Sequence, residues 1–123
     1  MLRRAHLFLL FPALSLGSCT YDNAEDLLAR QPVPCDLTAI TYTGSISPLL
    51  DRNCRSCHNA SLLNGNVNLE GYAQAKRYAD NGLLVGVTSH AAGFKPMPQN
   101  APKLPECDVN RIRQWVAAGA PNN

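Results

Sequence analysis

The sequence predicts an all-α domain of about four short helices over residues 35–123, and three observations predict it. Val109, Ile112, Trp115 and Val116 recur at helical spacing. Two shorter stretches, residues 45–53 and 72–79, carry the same kind of one-sided apolar face. The one apolar run that composition would allow as a strand, residues 83–89, has no obvious strand to pair with.

Each element follows from its residues. In 45–53, Ile46, Leu49 and Leu50 fall on one side, and Pro48 sits in the first turn, where its missing N–H is not needed. Residues 59–71 are an Asn- and Gly-rich loop, with Val67-Asn68-Leu69 as a brief extended piece. The amphipathic segment 72–79 (YAQAKRYA) is stopped by Asn81-Gly82. Residues 83–89 form a second short apolar piece. The last helix runs over 108–118 and is ended by Gly119 and Pro121.

Residues 1–18 have the three parts of an export signal. Arg3 and Arg4 give a positive start, residues 7–16 an apolar run, and small residues lead to a cysteine. The run is too short for a transmembrane span, which needs ~20 apolar residues. Leu16-Gly17-Ser18-Cys19 resembles the lipobox of bacterial lipoproteins, in which the cysteine becomes the first mature residue and carries lipid; Gly17 is an accepted but less common residue there. That resemblance implies an extracytoplasmic protein, lipid-anchored to a bacterial membrane on the periplasmic face or in the cell envelope. An ordinary signal peptide cleaved nearby is the alternative. Residues 19–34 then read as a lipidated flexible tether, polar at first and ending in Pro32 and Pro34, with a coil reach of ~20 Å.

Charge excludes one class of partner. The chain carries a formal charge of +2, and Arg3 and Arg4 supply two of its 11 basic residues. Without them, basic and acidic side chains balance at 9 each. No basic patch remains for nucleic acid. A monomer is expected.

Cys54-Arg55-Ser56-Cys57-His58 reads C-x-x-C-H, the attachment signature of a c-type haem. Two thiols at this spacing can each add to a haem vinyl group, which places the following imidazole at the iron as proximal ligand. Zinc would need a second thiol or imidazole pair at similar spacing, and Cys35 and Cys107 stand alone. A thioredoxin-like pair would open a helix after a strand, whereas the residues before Cys54 read as a helix. Cysteine use then closes over the 5 in the chain: Cys19 for lipid, Cys54 and Cys57 for one haem, and Cys35 with Cys107 as a disulfide. Such a long-loop link stabilises by ~4 kcal/mol in the chain-entropy model.

Met97 is the candidate distal ligand. Met1 leaves with the export signal, so Met97 is the one methionine of the mature chain, held in Lys95-Pro96-Met97-Pro98 by two prolines that restrict the backbone. A thioether on a stiff loop suits a His/Met electron carrier, and thioether ligation raises the potential. A methionine filling a core gap is the plainer role. His90 is the rival ligand and would give a lower potential.

Helix, C-x-x-C-H, short helices, a downstream Met loop and an aromatic-bearing last helix together resemble a class I (mono-haem) cytochrome c over residues 35–123. Cys35-Asp36, Ile46-Ser47-Pro48-Leu49-Leu50, Asn53 with the haem motif, Pro96-Met97-Pro98 and residues 115–121 are similar, in this order, to segments of small lipoprotein cytochromes of Bacteroidota-type bacteria. The Cys35/Cys107 pair departs from the commonest class I domains and agrees with that subgroup. The resemblance implies a small cytochrome c-like fold around one covalently bound haem, with a contact of Leu49 or Leu50 with Trp115 where the first and last helices cross. It implies single-electron transfer between extracytoplasmic redox proteins and no catalysis of its own. Two other readings stand beside it: a haem-based enzyme subunit or gas sensor with an open distal site, and a haem-free, disulfide-bonded surface lipoprotein.

Overall fold

The computed structural model describes residues 34–123. The expected signal peptide, the lipidation site Cys19 and the tether up to residue 33 lie outside them.

Four α-helices make up the described domain: α1 (Ser47–Asn53), α2 (Gly71–Asp80), α3 (Leu83–Thr88) and α4 (Glu106–Ala117). Among the described residues there is no strand, so the class is all-α, and residues 83–88 are helical. Val67 is extended but pairs with no neighbour. None of these helices is long and apolar enough to cross a membrane.

The start of the first helical segment differs from expectation, for a backbone reason. A π-turn, Tyr42–Ile46, precedes α1. Thr41 opens it, its hydroxyl accepting from the Gly44 N–H at 3.0 Å, while the Ile46 N–H reaches back to the Thr41 carbonyl at 3.1 Å. A Cβ on Gly44 would lie 2.8 Å from that hydroxyl oxygen, so the turn needs glycine there. Pro48 falls in the first turn of α1, at a position that lacks an intrahelical acceptor anyway.

The other boundaries follow from their caps. Gly82, at φ 77°, both follows α2 and opens α3, a left-handed hinge that glycine adopts without penalty. Helix α4 begins two residues earlier than predicted, directly after Pro105, and Glu106 and Asp108 in its first turn suit the positive end of the helix dipole.

Ile46, Leu49, Leu50, Val109, Ile112 and Trp115 are the largest fully buried side chains, and Ala75 and Ala79 let α2 approach them closely. Burying each of the large ones is worth ~2 kcal/mol. Leu49, Leu50 and Trp115 share this one cluster. The ring facing Trp115 is Tyr42 of the π-turn, 5.7 Å away between centroids, and Tyr42 meets Tyr72 edge-on at 5.2 Å. The residues after α4 close over the aromatic group. Trp115 Nε1–H donates to the Pro121 carbonyl at 3.0 Å, the Tyr72 hydroxyl donates to the Ala120 carbonyl at 2.9 Å, and the Tyr42 N–H donates to Asn123 Oδ1 at 2.8 Å. Cys35 and Cys107 are disulfide-bonded across 72 residues, which ties the chain's entry into the domain to the first turn of α4.

Candidate functional site

Helix α1 ends at Cys54, whose N–H still donates to the Leu50 carbonyl at 2.9 Å. The chain then turns tightly on itself: the N–H groups of Cys57 and His58 both donate to the Cys54 carbonyl, at 3.1 and 3.0 Å. The two cysteines of the motif are thus presented from one turn, and both are free thiols.

Arg55, between them, points the other way and fastens the turn to three segments. Its Nε donates to the Leu69 carbonyl at 2.7 Å, one terminal nitrogen to Ser47 Oγ at 2.9 Å and Asp51 Oδ1 at 2.7 Å, and the other to the Tyr42 hydroxyl at 3.0 Å. A planar guanidinium can serve these directions together; an ammonium cannot.

The loop after the motif is shaped by its own polar side chains. Asn59 Oδ1 accepts from the N–H groups of Ser61 and Leu62, and Glu70 Oε2 accepts from the Ala60 N–H. Left-handed backbone at Leu63, Gly65 and Asn66 bends the loop so that the Asn64 carbonyl faces His58. His58 Nδ1 lies 3.0 Å from that carbonyl oxygen. A carbonyl only accepts, so Nδ1 carries a proton, and in the neutral ring Nε2 is then the nitrogen with the free lone pair. The imidazole is therefore oriented and set in the tautomer that can ligate through Nε2.

Met97 arrives from the other end of the sequence. After α3, His90 at φ 54° reverses the chain, the Ala91 N–H donates to the Gly86 carbonyl at 3.0 Å, and the Phe94 ring lies against Gly86. The Met97 N–H then donates to the Val87 carbonyl at 3.0 Å, and His90 Nε2 lies 3.1 Å from the Met97 carbonyl oxygen. The Met97–Pro98 peptide is cis.

These pieces surround one cavity of about 370 Å³, within the range of small-molecule and cofactor sites. Cys54, Cys57, His58 and Met97 all line it. Val67, Leu69, Leu84 and Val87 supply apolar wall, and the buried Thr88 hydroxyl is spent on the Leu84 carbonyl at 2.7 Å. His90 is not among the lining residues, and Cys35 and Cys107 lie elsewhere, bonded to each other. Burial pushes the Cys54 thiol up to about 11 against the opposing pull of Arg55, so it stays protonated at neutral pH. That disfavours a thiolate nucleophile at Cys54. Among the described residues no group of three His, Cys, Asp or Glu side chains is placed to hold a metal ion by itself.

Sequence reasoning missed three contributors: the wall residues of α3, the Arg55 strut and the Asn64 carbonyl. Leu84 and Val87 stand three residues apart, a spacing that marks one helix face. Arg55 and Asn64 carried no local signal, because their partners are set by the fold. Comparison with known proteins gives no match to any family model, curated protein or solved structure.

Proposed function

We propose that this chain is a membrane-anchored mono-haem c-type cytochrome that carries single electrons between extracytoplasmic redox proteins, with a small class I cytochrome c-like fold over residues 35–123. The observation that carries the reading is that C-x-x-C-H and Met97, far apart in sequence, line the same apolar cavity. The residues present fit the group. Free thiols at Cys54 and Cys57 offer the two thioether links, His58 Nε2 offers an imidazole lone pair, and Met97 offers a thioether sulfur. When bound, the haem supplies an iron that alternates between ferrous and ferric states.

The chain's own residues then serve electron transfer rather than catalysis. The Asn64 carbonyl holds the His58 ring in orientation. Leu69, Leu84 and Val87 give the cavity an apolar wall suited to a macrocycle's faces. Met97, held in a loop pinned at its own N–H and carbonyl, would serve as the second protein ligand of the iron and so would leave none of its positions to a substrate. Lipid at Cys19 would hold the domain at a bacterial membrane, with residues 20–34 as tether.

The test is production of the full chain in a bacterium equipped for c-haem maturation. The reading expects one haem that survives denaturation, a low-spin ferrous protein inert to carbon monoxide, and a lipidated N-terminal Cys19 by mass spectrometry. Met97→Ala should turn the protein carbon monoxide-reactive. Absence of covalent haem would favour the disulfide-bonded surface lipoprotein, and wild-type protein that takes carbon monoxide readily would favour a sensor or enzyme subunit.

A further inference from the structure

We infer that His90 is the positioning residue of the Met97 loop: its Nε2–H holds the Met97 carbonyl and so keeps the thioether-bearing segment on the cavity wall. The inference deepens the proposed haem reading and rests on it for the role of Met97.

Both backbone polar groups of Met97 are taken by the end of α3 and the residue that reverses it. Its N–H goes to the Val87 carbonyl at 3.0 Å and its carbonyl to His90 Nε2 at 3.1 Å. One bond alone would leave the peptide free to swing about it; two, on opposite sides of the residue, fix where the side chain leaves the backbone. The carbonyl can only accept, so Nε2 carries the proton, and the donor is the same whether the ring is neutral or charged.

The conformation of His90 adds a second argument. At φ 54° it occupies the left-handed region, uncommon for any L side chain although asparagine, aspartate and histidine are enriched there. Glycine or asparagine would suit that backbone better. What histidine adds is reach: the far nitrogen of its ring extends to a carbonyl seven residues on. The same bond also commits the ring nitrogen that would otherwise compete as an iron ligand.

Three variants separate backbone from tether. His90→Asn keeps the left-handed preference but its amide is too short to reach; His90→Gly relieves the backbone and removes the donor; His90→Gln regains reach with an amide N–H. Two readouts are compared: the affinity of the ferric protein for added imidazole, which displaces a loosely held Met97, and the hydrogen-exchange rate of the Met97 amide. His90→Asn and His90→Gly should bind imidazole roughly fivefold more tightly and exchange that amide roughly fivefold faster, the effect of one lost hydrogen bond, with His90→Gln close to wild type. Wild-type affinity and exchange in both His90→Asn and His90→Gly overturn the inference. If the chain takes up no covalent haem, the functional reading fails on its own and the exchange rates still decide for or against the tether. Loss of the low-spin spectrum in His90→Gly but not in Met97→Ala makes His90 the ligand and overturns the inference together with the assignment of Met97.

Discussion

Arg55 and Leu69 clasp the base of the motif's loop. Arg55 Nε–H donates to the Leu69 carbonyl at 2.7 Å, while the Leu69 N–H donates to the His58 carbonyl at 2.9 Å. Leu69 is thereby held on both its polar sides by two residues of C-x-x-C-H, and the loop that presents the Asn64 carbonyl to His58 cannot open without breaking one of them.

Replacing Arg55 tests how much this clasp contributes. Arg55→Lys keeps the charge but not the fork that serves Leu69, Ser47, Asp51 and Tyr42 together. A loss of about 2 kcal/mol in unfolding free energy is expected, since the bonds to Leu69, Ser47 and Tyr42 are partly buried and lysine can satisfy only some of them. Urea unfolding of the two proteins measures it; equal midpoints and slopes would show that the guanidinium is merely a surface group.

Gly86 and Phe94 form a tighter pair. A Cβ on Gly86 would stand 2.4 Å from two carbons of the Phe94 ring, so the ring must move if the side chain is added. Gly86→Ala should cost about 1–2 kcal/mol. Phe94→Ala in the same chain should recover most of that penalty, giving a coupling that a double-mutant cycle reads directly. Additive single effects would mean the ring yields freely.

The Cys35–Cys107 link closes 72 residues. A Cys35→Ser, Cys107→Ser double variant should lose roughly 4 kcal/mol on the chain-entropy account. Thermal unfolding of wild type with and without reductant should reproduce the same loss, whereas the double variant should not respond to reductant at all.

Acid sensitivity should trace in part to Glu106. Lys103 at 2.8 Å and Arg113 at 2.9 Å hold its carboxylate below the ordinary value of 4.5. A depressed carboxylate adds stability above its ordinary value, and that contribution is lost as the pH falls through the depressed one. Asp36 is lowered in the same direction by its hydrogen bonds from Thr38. Glu106→Gln should melt slightly below wild type at neutral pH and together with it in acid below the depressed value. The gap should also narrow with salt, because both ion pairs are exposed. A gap that persisted unchanged into strong acid would assign it to something other than charge.

The helices were legible because their signals are local. Val109, Ile112 and Trp115 repeat at one-turn spacing and all three are buried in α4; Leu49 and Leu50 are buried in α1. What shifted the boundaries also lay in the sequence but needed partners to act, as with Thr41 capping the π-turn and Pro105 opening α4. At the candidate site, the adjacency of Cys54, Cys57 and His58 and the stiffness of Pro96-Met97-Pro98 could be read directly. That these segments share a cavity could not, because it depends on the backbone reversal at His90 and on where α3 packs. The direction of Arg55 was equally hidden, since its acceptors on Leu69 and Tyr42 come from segments distant in the chain.

The bonds that join Tyr42 and Thr43 to Asn123 span 80 residues or more, and they set an order of events. A polypeptide is synthesised N-terminus first, so Tyr42, Cys54, Cys57 and His58 are made before the residues that close the aromatic cluster. Contacts so distant in sequence form late and slowly. Until residues 120–123 dock, the rings of Tyr42, Tyr72 and Trp115 lack the partners that cover them, so completion of the core waits on the segment farthest from where the domain begins.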